Sequence, residues 1–364
     1  MRALFLVSDA EWSGRARAFV MVARGLKARG QDVQVVCASD CPVQVRASEA
    51  DVPIVPMARD ASTAAAAWNL RGVLKERGAD VVFVHTDDEH LAASSALRFA
   101  GGGGAVVRRV PPFALASRAG RSRLASRIAP SGVLFTTEAD RAAVTGDSRG
   151  IPSGLAPLGV ELALHDALAP ASRDALGARR DTRLIVCLHD GRDKRSVLTA
   201  FRTMALLAPR HPELRLALVG SPRQDELRMH AAALGITALV TFLGARVDEL
   251  ALLKAADIGW VAAEGDAAAL AALDFMALRK AVLAERSPLT EHYIADGIAG
   301  TLLAPADPPT TAAAVSAFVA GEAQRTAMGN AGRARVEREF TFDAMIDGFE
   351  RASGAGVERP AAAV

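Results

Sequence analysis

Two stretches of this chain carry residue types that could bind a ligand, and the first suits an anion. The first, His189-Asp190-Gly191-Arg192-Asp193-Lys194-Arg195, follows an apolar run at 183–188 and precedes a helical pattern that begins near Ser196. A strand, a basic loop and a helix N-terminus in that order suit phosphate, because helix N–H groups and side-chain cations both favour negative charge there. Asp190 and Asp193 weaken that field, and an ordinary charged loop is the other reading of Arg192 and His189. The second stretch is acidic. Ala263-Glu264-Gly265-Asp266 leads into an apolar helical pattern interrupted by Asp274. Asp266 has a plain alternative as a helix N-cap, whereas a mid-helix carboxylate in an apolar run needs a specific task. In the N-terminal half, His85 ends one apolar run and Arg108-Arg109 end another. Ligands of open α/β sheets bind at such strand ends. A structural histidine and a salt-bridged arginine pair are the plainer alternatives. Gly14 lies after the first apolar run, where the lack of a side chain lets backbone approach a ligand.

The elements that would position these residues follow from periodicity. Short apolar runs at 3–8, 32–37, 53–55, 80–85, 105–108 and 132–135 alternate with helical patterns such as 15–29 and 62–77. In the latter, Trp68, Val73 and Leu74 are the candidates for a buried stripe. The rhythm restarts at 183–188 and continues with 215–219, 239–243, 258–261, 281–284 and 301–303. Strands alternating with helices predict parallel sheets built from βαβ units. A length of 364 residues is more than one ordinary core needs and suits two domains. The stretch 162–181 is rich in Ala, Arg and Asp and lacks a sustained strand. The expected division is therefore a first domain at 1–165, a linker at 166–180, a second domain at 181–340, a closing helix at 341–353 that returns to the first domain, and a disordered tail at 354–364.

Composition removes several function classes. A net charge of +2 argues against a dedicated nucleic-acid binder. Three cysteines, Cys37, Cys41 and Cys187, without paired spacing form neither a disulfide framework nor a zinc site. After the first strand the chain offers one glycine, Gly14, where a dinucleotide fingerprint needs three, and Gly101–Gly104 precedes a strand instead of following one. No Walker lysine follows a glycine-rich loop. The apolar start is too short for a signal peptide and no run is long enough to span a bilayer, so a cytoplasmic protein is expected. Arg118, Arg121, Arg123 and Arg127, interleaved with Leu115, Leu124 and Ile128, fit either a helix on the anionic inner membrane face or a solvated helix face.

The order of motifs resembles the family 4 retaining glycosyltransferases of the GT-B fold along nearly the whole chain. The C-terminal half carries the likeness in Leu216-Ala217-Leu218-Val219-Gly220, Val240-Thr241-Phe242-Leu243-Gly244, Ala255-Ala256-Asp257-Ile258 and Met328-Gly329-Asn330-Ala331-Gly332. The N-terminal half contributes Ser13-Gly14, the helix end and strand at Arg29-Gly30-Gln31-Asp32-Val33, the strand Asp80-Val81-Val82-Phe83-Val84-His85, and Leu158-Gly159-Val160-Glu161 with Leu158 in place of the family's Asn. The resemblance implies two Rossmann-like parallel-sheet domains facing across an interdomain cleft. It also implies metal-free hexosyl transfer from a nucleoside-diphosphate sugar to a glycan or lipid-linked acceptor, with retention and with no cofactor. Lys194 falls on the family lysine, and His189 stands at the position of its arginine. Asp266 and Asp274 keep the seven-residue gap of the family's two glutamates, about 12 Å along a helix axis.

By that resemblance Lys194, with Arg192 or His189, neutralises the diphosphate, and amides of Leu289 and Thr290 approach it. Asp274 holds the ribose, and Asp266 or Glu264 touches the sugar. His85 lies in the catalytic region, and Gly14, Arg108 and Arg109 serve the acceptor or phosphate side. Arg279 replaces a family glycine. These departures keep open a degenerate relative that binds a nucleotide or a partner without turnover, and a sugar-nucleotide epimerase of the same fold is the third reading.

Overall fold

The computed structural model describes residues 1–58, 62–113, 120–144, 152–221, 224–305 and 307–355. The chain divides into two compact units, Met1–Leu158 with Asp343–Val364, and Gly159–Phe342. The stretch expected as a linker lies inside the second unit and carries a helix, Leu162–Ala167, and a 3₁₀ turn, Asp174–Leu176. The tail expected to be disordered lies outside the described residues from 356 onward.

Among the described residues, the first unit holds seven strands: β1 (Arg2–Val7), β2 (Asp32–Ala38), β3 (Ile54–Met57), β4 (Val81–Val84), β5 (Ala105–Val110), β6 (Ser131–Phe135) and β7 (Ser153–Leu155). They form one parallel sheet in the order β3-β2-β1-β4-β5-β6-β7. Strand residues alternate between the two covered faces, as a period of two requires. Leu4 and Leu6 join Leu70, Leu74, Val82, Val84 and Leu97 in one core layer. Phe5 points the other way, into an aromatic cluster with Phe19, Phe83 and Phe349. Phe349 belongs to the closing helix Phe342–Ala355, and its ring meets Phe83 at 5.0 Å. Arg29 fastens the same helix from outside, reaching Asp343, Asp347 and Glu350 at 2.6–3.0 Å.

One packing expectation is overturned. Trp68 is 68% exposed, and the buried stripe of its helix, Thr63–Arg77, runs through Leu70 and Leu74. The indole instead lies under the Arg71 guanidinium at 4.7 Å, a contact available at the surface.

The second unit holds β8 (Arg183–His189), β9 (Leu214–Gly220), β10 (Val240–Gly244), β11 (Ile258–Ala262), β12 (Ala281–Glu285) and β13 (Gly300–Leu303). They form a parallel sheet in the order β10-β9-β8-β11-β12-β13. Their near-continuous apolar sequences are what strands covered on both faces require. Phe201, Trp260, Phe318 and Leu283 centre the core cluster on one of those faces. Gly220 is demanded by the sheet: φ is +125°, and a Cβ there would lie 1.9 Å from the His189 carbonyl oxygen. Arg279, in the family glycine's place, takes the left-handed conformation that glycine favours, with φ +58°. All three cysteines are buried and free. Burial pushes the Cys37 thiol up to about 12 and raises Cys187 too, so neither is a ready nucleophile.

The Phe349 contacts give the first prediction. Phe349→Ala is expected to cost the first unit about 3–5 kcal/mol, as truncation of a fully buried phenylalanine does. Chemical denaturation followed by near-ultraviolet circular dichroism would measure it, and an unchanged midpoint would contradict the docking of this helix.

Candidate functional site

Parallel sheets collect helix N-termini at their carboxyl edge, and ligands sit where the strand order reverses. That point lies between β1 and β4 in the first unit and between β8 and β11 in the second. The two edges are furnished differently.

In the first unit the edge is filled from within. The Glu89 carboxylate, only 5% exposed, accepts hydrogen bonds from Ser8 N (2.7 Å), Ser8 Oγ (2.6 Å), His85 N (2.8 Å) and Thr86 N (2.9 Å). Thr86 caps the helix Asp87–Ala100 and forms a reciprocal capping box with Glu89. The carboxylate thus ties the ends of β1 and β4 to that helix and occupies amides that an external anion would use. His85 is equally committed. Its ring stacks on Phe19 with centroids 3.6 Å apart, and Nε2 lies 3.1 Å from the Arg15 carbonyl oxygen. Burial, reinforced by Arg109 and Arg15, holds it well below the usual histidine range, so the ring is neutral. These contacts favour the structural alternative for His85 over a catalytic one. Arg108 pairs with Asp87 at 3.0 Å, and Arg109 is buried in β5. Gly14 is the first residue of the helix Gly14–Ala28, capped by Ser13.

In the second unit the reversal point gathers the basic loop and the acidic helix start. His189 ends β8, opposite Ala262 of β11 and Gly220 of β9. It is 2% exposed, and among the described residues neither ring nitrogen has a hydrogen-bond partner. Burial pushes its imidazole down to about 4, with Asp190 pulling the other way. A neutral, buried imidazole with both nitrogens unmet is costly unless a ligand meets them. Asp190 bridges the two loops: Oδ1 accepts from Arg192 N at 2.8 Å and Oδ2 accepts from Glu264 N at 3.1 Å.

The helix expected from Ser196 begins at Lys194. Asp193 is its N-cap, accepting from Ser196 N at 2.9 Å. Lys194 Nζ reaches Glu226 at 2.5 Å on the surface, and Arg195 pairs with Glu285 at 2.6 Å. Arg192 is exposed. Glu264, also exposed, takes the N-cap position of the helix Gly265–Ala277. Asp266 is therefore not the N-cap; it is the second residue of that helix and is buried.

Two expected donor contacts are engaged elsewhere. Asp274 is 0% exposed, and its Oδ1 lies 2.8 Å from His165 Nε2. It therefore joins the helix Leu162–Ala167 to the helix Gly265–Ala277 inside the unit and does not open towards a ribose. The Thr290 amide donates to Ser287 Oγ at 3.2 Å in a capping box, so that cap has already claimed it. Leu289 is the second residue of the same short helix and is buried. Glu291 pairs with Arg286 at 3.0 Å, and Asp307 caps the helix Pro308–Ala320. In the expected membrane helix, Arg127 is exposed, Arg121 and Arg123 lie in Gly120–Ile128, and Arg118 lies outside the described residues.

Sequence reasoning missed Glu89, His165, Glu285 and the bridging role of Asp190. Only Glu89 left a signal, the capping pattern Thr86-Asp87-Asp88-Glu89. Among the described residues, no group of three or more His, Cys, Asp or Glu side chains is placed to hold a metal ion. Nor is any helix long and apolar enough to cross a membrane.

Residues 169–335 match the family model of the Glycosyl transferases group 1. The solved structure of a glycosyltransferase from Rickettsia africae aligns with a TM-score of 0.79 at 14% identity, over 99% of this chain and 99% of that one. Anabaena HepE in complex with UDP-glucose gives 0.79 at 15% identity over 98% and 100%. WaaG, a glycosyltransferase involved in lipopolysaccharide biosynthesis, gives 0.70 at 19% identity over 96% and 98%. No curated protein matches the chain. At these identities the structural likeness establishes the fold, GT-B with two Rossmann-like domains. The family match, confined to residues 169–335 within the second unit, indicates a glycosyltransferase.

Two predictions follow from the two edges. Glu89→Ala leaves buried amides unmet and is expected to cost about 3 kcal/mol, read from the urea midpoint of the first unit. His189 acts on the acid limb. Its folded pKa lies below the unfolded value of about 6.5, so the unfolded chain takes up a proton that the folded one refuses. Its contribution is full above that value and is lost as pH falls towards about 4. His189→Asn is expected to shrink the loss of stability between about pH 7.5 and pH 5 relative to the parent chain.

Proposed function

We propose that the chain transfers a hexosyl group from a nucleoside-diphosphate sugar to a glycan or lipid-linked acceptor, with retention and without a resident metal, as a family 4 enzyme of the EC 2.4 class. The observation that carries this reading is His189: a buried imidazole with both nitrogens unmet, at the strand-order reversal of the second unit. It lies in the loop region that joins the β8 edge to the helix Lys194–Leu207 and to the N-cap of Gly265–Ala277.

A leaving nucleoside diphosphate gains negative charge as the glycosidic bond breaks, and preorganised dipoles and cations stabilise it most where that charge develops. Two helix N-termini, Lys194 and Arg195 supply this field, and Arg192 stands on the same loop. The ion pairs of Lys194 with Glu226 and of Arg195 with Glu285 involve exposed cations, and exposed pairs contribute little. Those cations are thus open to recruitment by a dianion. Glu264 and Asp266, at the start of the acidic helix, are the carboxylates proposed to meet the sugar. With Asp274 bound to His165 and the Thr290 amide bound to Ser287, neither is assigned a ligand contact. Gly14 of the first unit is proposed for the acceptor; Arg108, paired with Asp87, and Arg109, buried in β5, are assigned no ligand contact. The UDP-glucose bound to HepE and the lipopolysaccharide role of WaaG support a nucleotide-sugar donor and a lipid-linked glycan acceptor. Work at the cytoplasmic face of a membrane, with Arg127 on its surface, accords with such an acceptor.

One observation favours the degenerate reading, binding without turnover: Lys194 and Arg195 are both matched by the chain's own glutamates. A thermal-shift screen of nucleotide sugars, followed by a transfer assay with the sugar that binds, separates the two. Lys194→Ala is expected to lower transfer at least ~100-fold, the scale set by loss of one charge-stabilising group, while the unfolding midpoint stays put. Full turnover in the folded variant would remove Lys194 from the site, and binding with no transfer would leave the degenerate reading.

A further inference from the structure

The positive ends of two helices meet at the β8–β11 reversal, and in this chain a side chain already answers them. Asp190 Oδ1 accepts from Arg192 N at 2.8 Å and from Asp193 N at 3.4 Å, in the loop leading to the helix Lys194–Leu207. Its Oδ2 accepts from Glu264 N at 3.1 Å, at the N-cap of the helix Gly265–Ala277. One carboxylate thus holds amides from both loops of the reversal point. The preceding residue, His189, is 2% exposed, and among the described residues both its ring nitrogens are unmet. Gly191 keeps the turn tight: φ is +79°, and a Cβ would lie 2.7 Å from Ser221 Oγ. The contrast with the first unit is instructive. There the seated carboxylate, Glu89, is buried and sits over a histidine locked by stacking, whereas Asp190 is half-buried and adjoins a histidine with nothing to bind.

We propose that Asp190 is an internal placeholder for the donor's diphosphate, seated on the amides of Arg192 and Glu264 until the phosphates displace it. The inference rests on the donor-site reading of the second unit. A dianion cannot share those amides with a carboxylate, so binding includes the cost of unseating Asp190, and the apparent affinity falls with the fraction of chains in which the seat is open. The same contact helps expel the diphosphate product, because Asp190 returns to the amides as the product leaves. An uncharged nucleoside makes no claim on the seat and does not meet this cost.

Calorimetric titration of the full chain tests this with UDP, GDP and ADP and their nucleosides, against Asp190→Asn and Asp190→Ala. Asparagine keeps one oxygen for the Arg192 N–H and places an NH₂ group where Oδ2 stood, which releases Glu264 N–H and removes the charge. The diphosphate that binds the parent chain is expected to bind both variants about 10-fold tighter, with its nucleoside changed less than about twofold, the scale of one charged hydrogen bond lost as a competitor. Should Asp190→Ala fail to fold, as judged by circular dichroism, Asp190→Asn alone decides. Equal or weaker diphosphate binding in a folded variant overturns the placeholder, as does equal tightening of the nucleoside, which would mean a loosened loop. Absence of binding by any diphosphate to every form overturns the donor-site reading itself, and the placeholder with it.

Discussion

Backbone N–H groups at the carboxyl edge of a parallel sheet have to be met, because helix N-termini converge there with donors that no strand or turn satisfies. The rest of this structure depends on how each unit meets that demand. Glu89 does so in the first unit with four hydrogen bonds that pin β1, β4 and their following helix together. With that seat taken, the edge is a structural joint with a neutral, stacked histidine behind it. In the second unit the demand is met by a half-buried aspartate, and the histidine behind it has unmet nitrogens. The same fold logic therefore yields one closed edge and one that can exchange its internal anion for an external one.

Sequence periodicity was sufficient for the architecture because both sheets are parallel. Strands covered on both faces must be short and apolar throughout, and each run that the spacing marks as a strand is one, within two residues at each end. The exceptions are informative. β7, Ser153-Gly154-Leu155, is three residues long and only half-buried, so it lacks an apolar run to find. Helical periodicity makes Trp68 a candidate for the buried stripe, yet on its Ala-rich helix Leu70 and Leu74 form the buried face and leave the indole outside.

The site was less legible, because register carries position but not orientation. Lys194, His189 and Glu264 lie at the edge where their spacing put them. Asp274 keeps the spacing of a ribose-binding acid, but that spacing says nothing of His165, which is 109 positions away in sequence and provides its partner. Thr290 was assigned by its place after β12, while the serine three residues earlier had first claim on its amide. Asp190 looked like a charge that spoils a phosphate loop. Its geometry shows more than a stray charge: the carboxylate sits on the amides of Arg192 and Glu264, because it is drawn to a place for the same reasons as a phosphate.

The docking of Phe349 among Phe5, Phe19 and Phe83 has a consequence for biogenesis. Translation delivers β1 early and the helix Phe342–Ala355 after the whole of the second unit has emerged. During that interval the nascent first unit presents an uncovered aromatic face, the kind of surface that chaperones hold, while the second unit has all its strands and can fold ahead of it. A chain released short of this helix would carry that sticky face permanently, so quality control can distinguish finished from unfinished molecules by one helix.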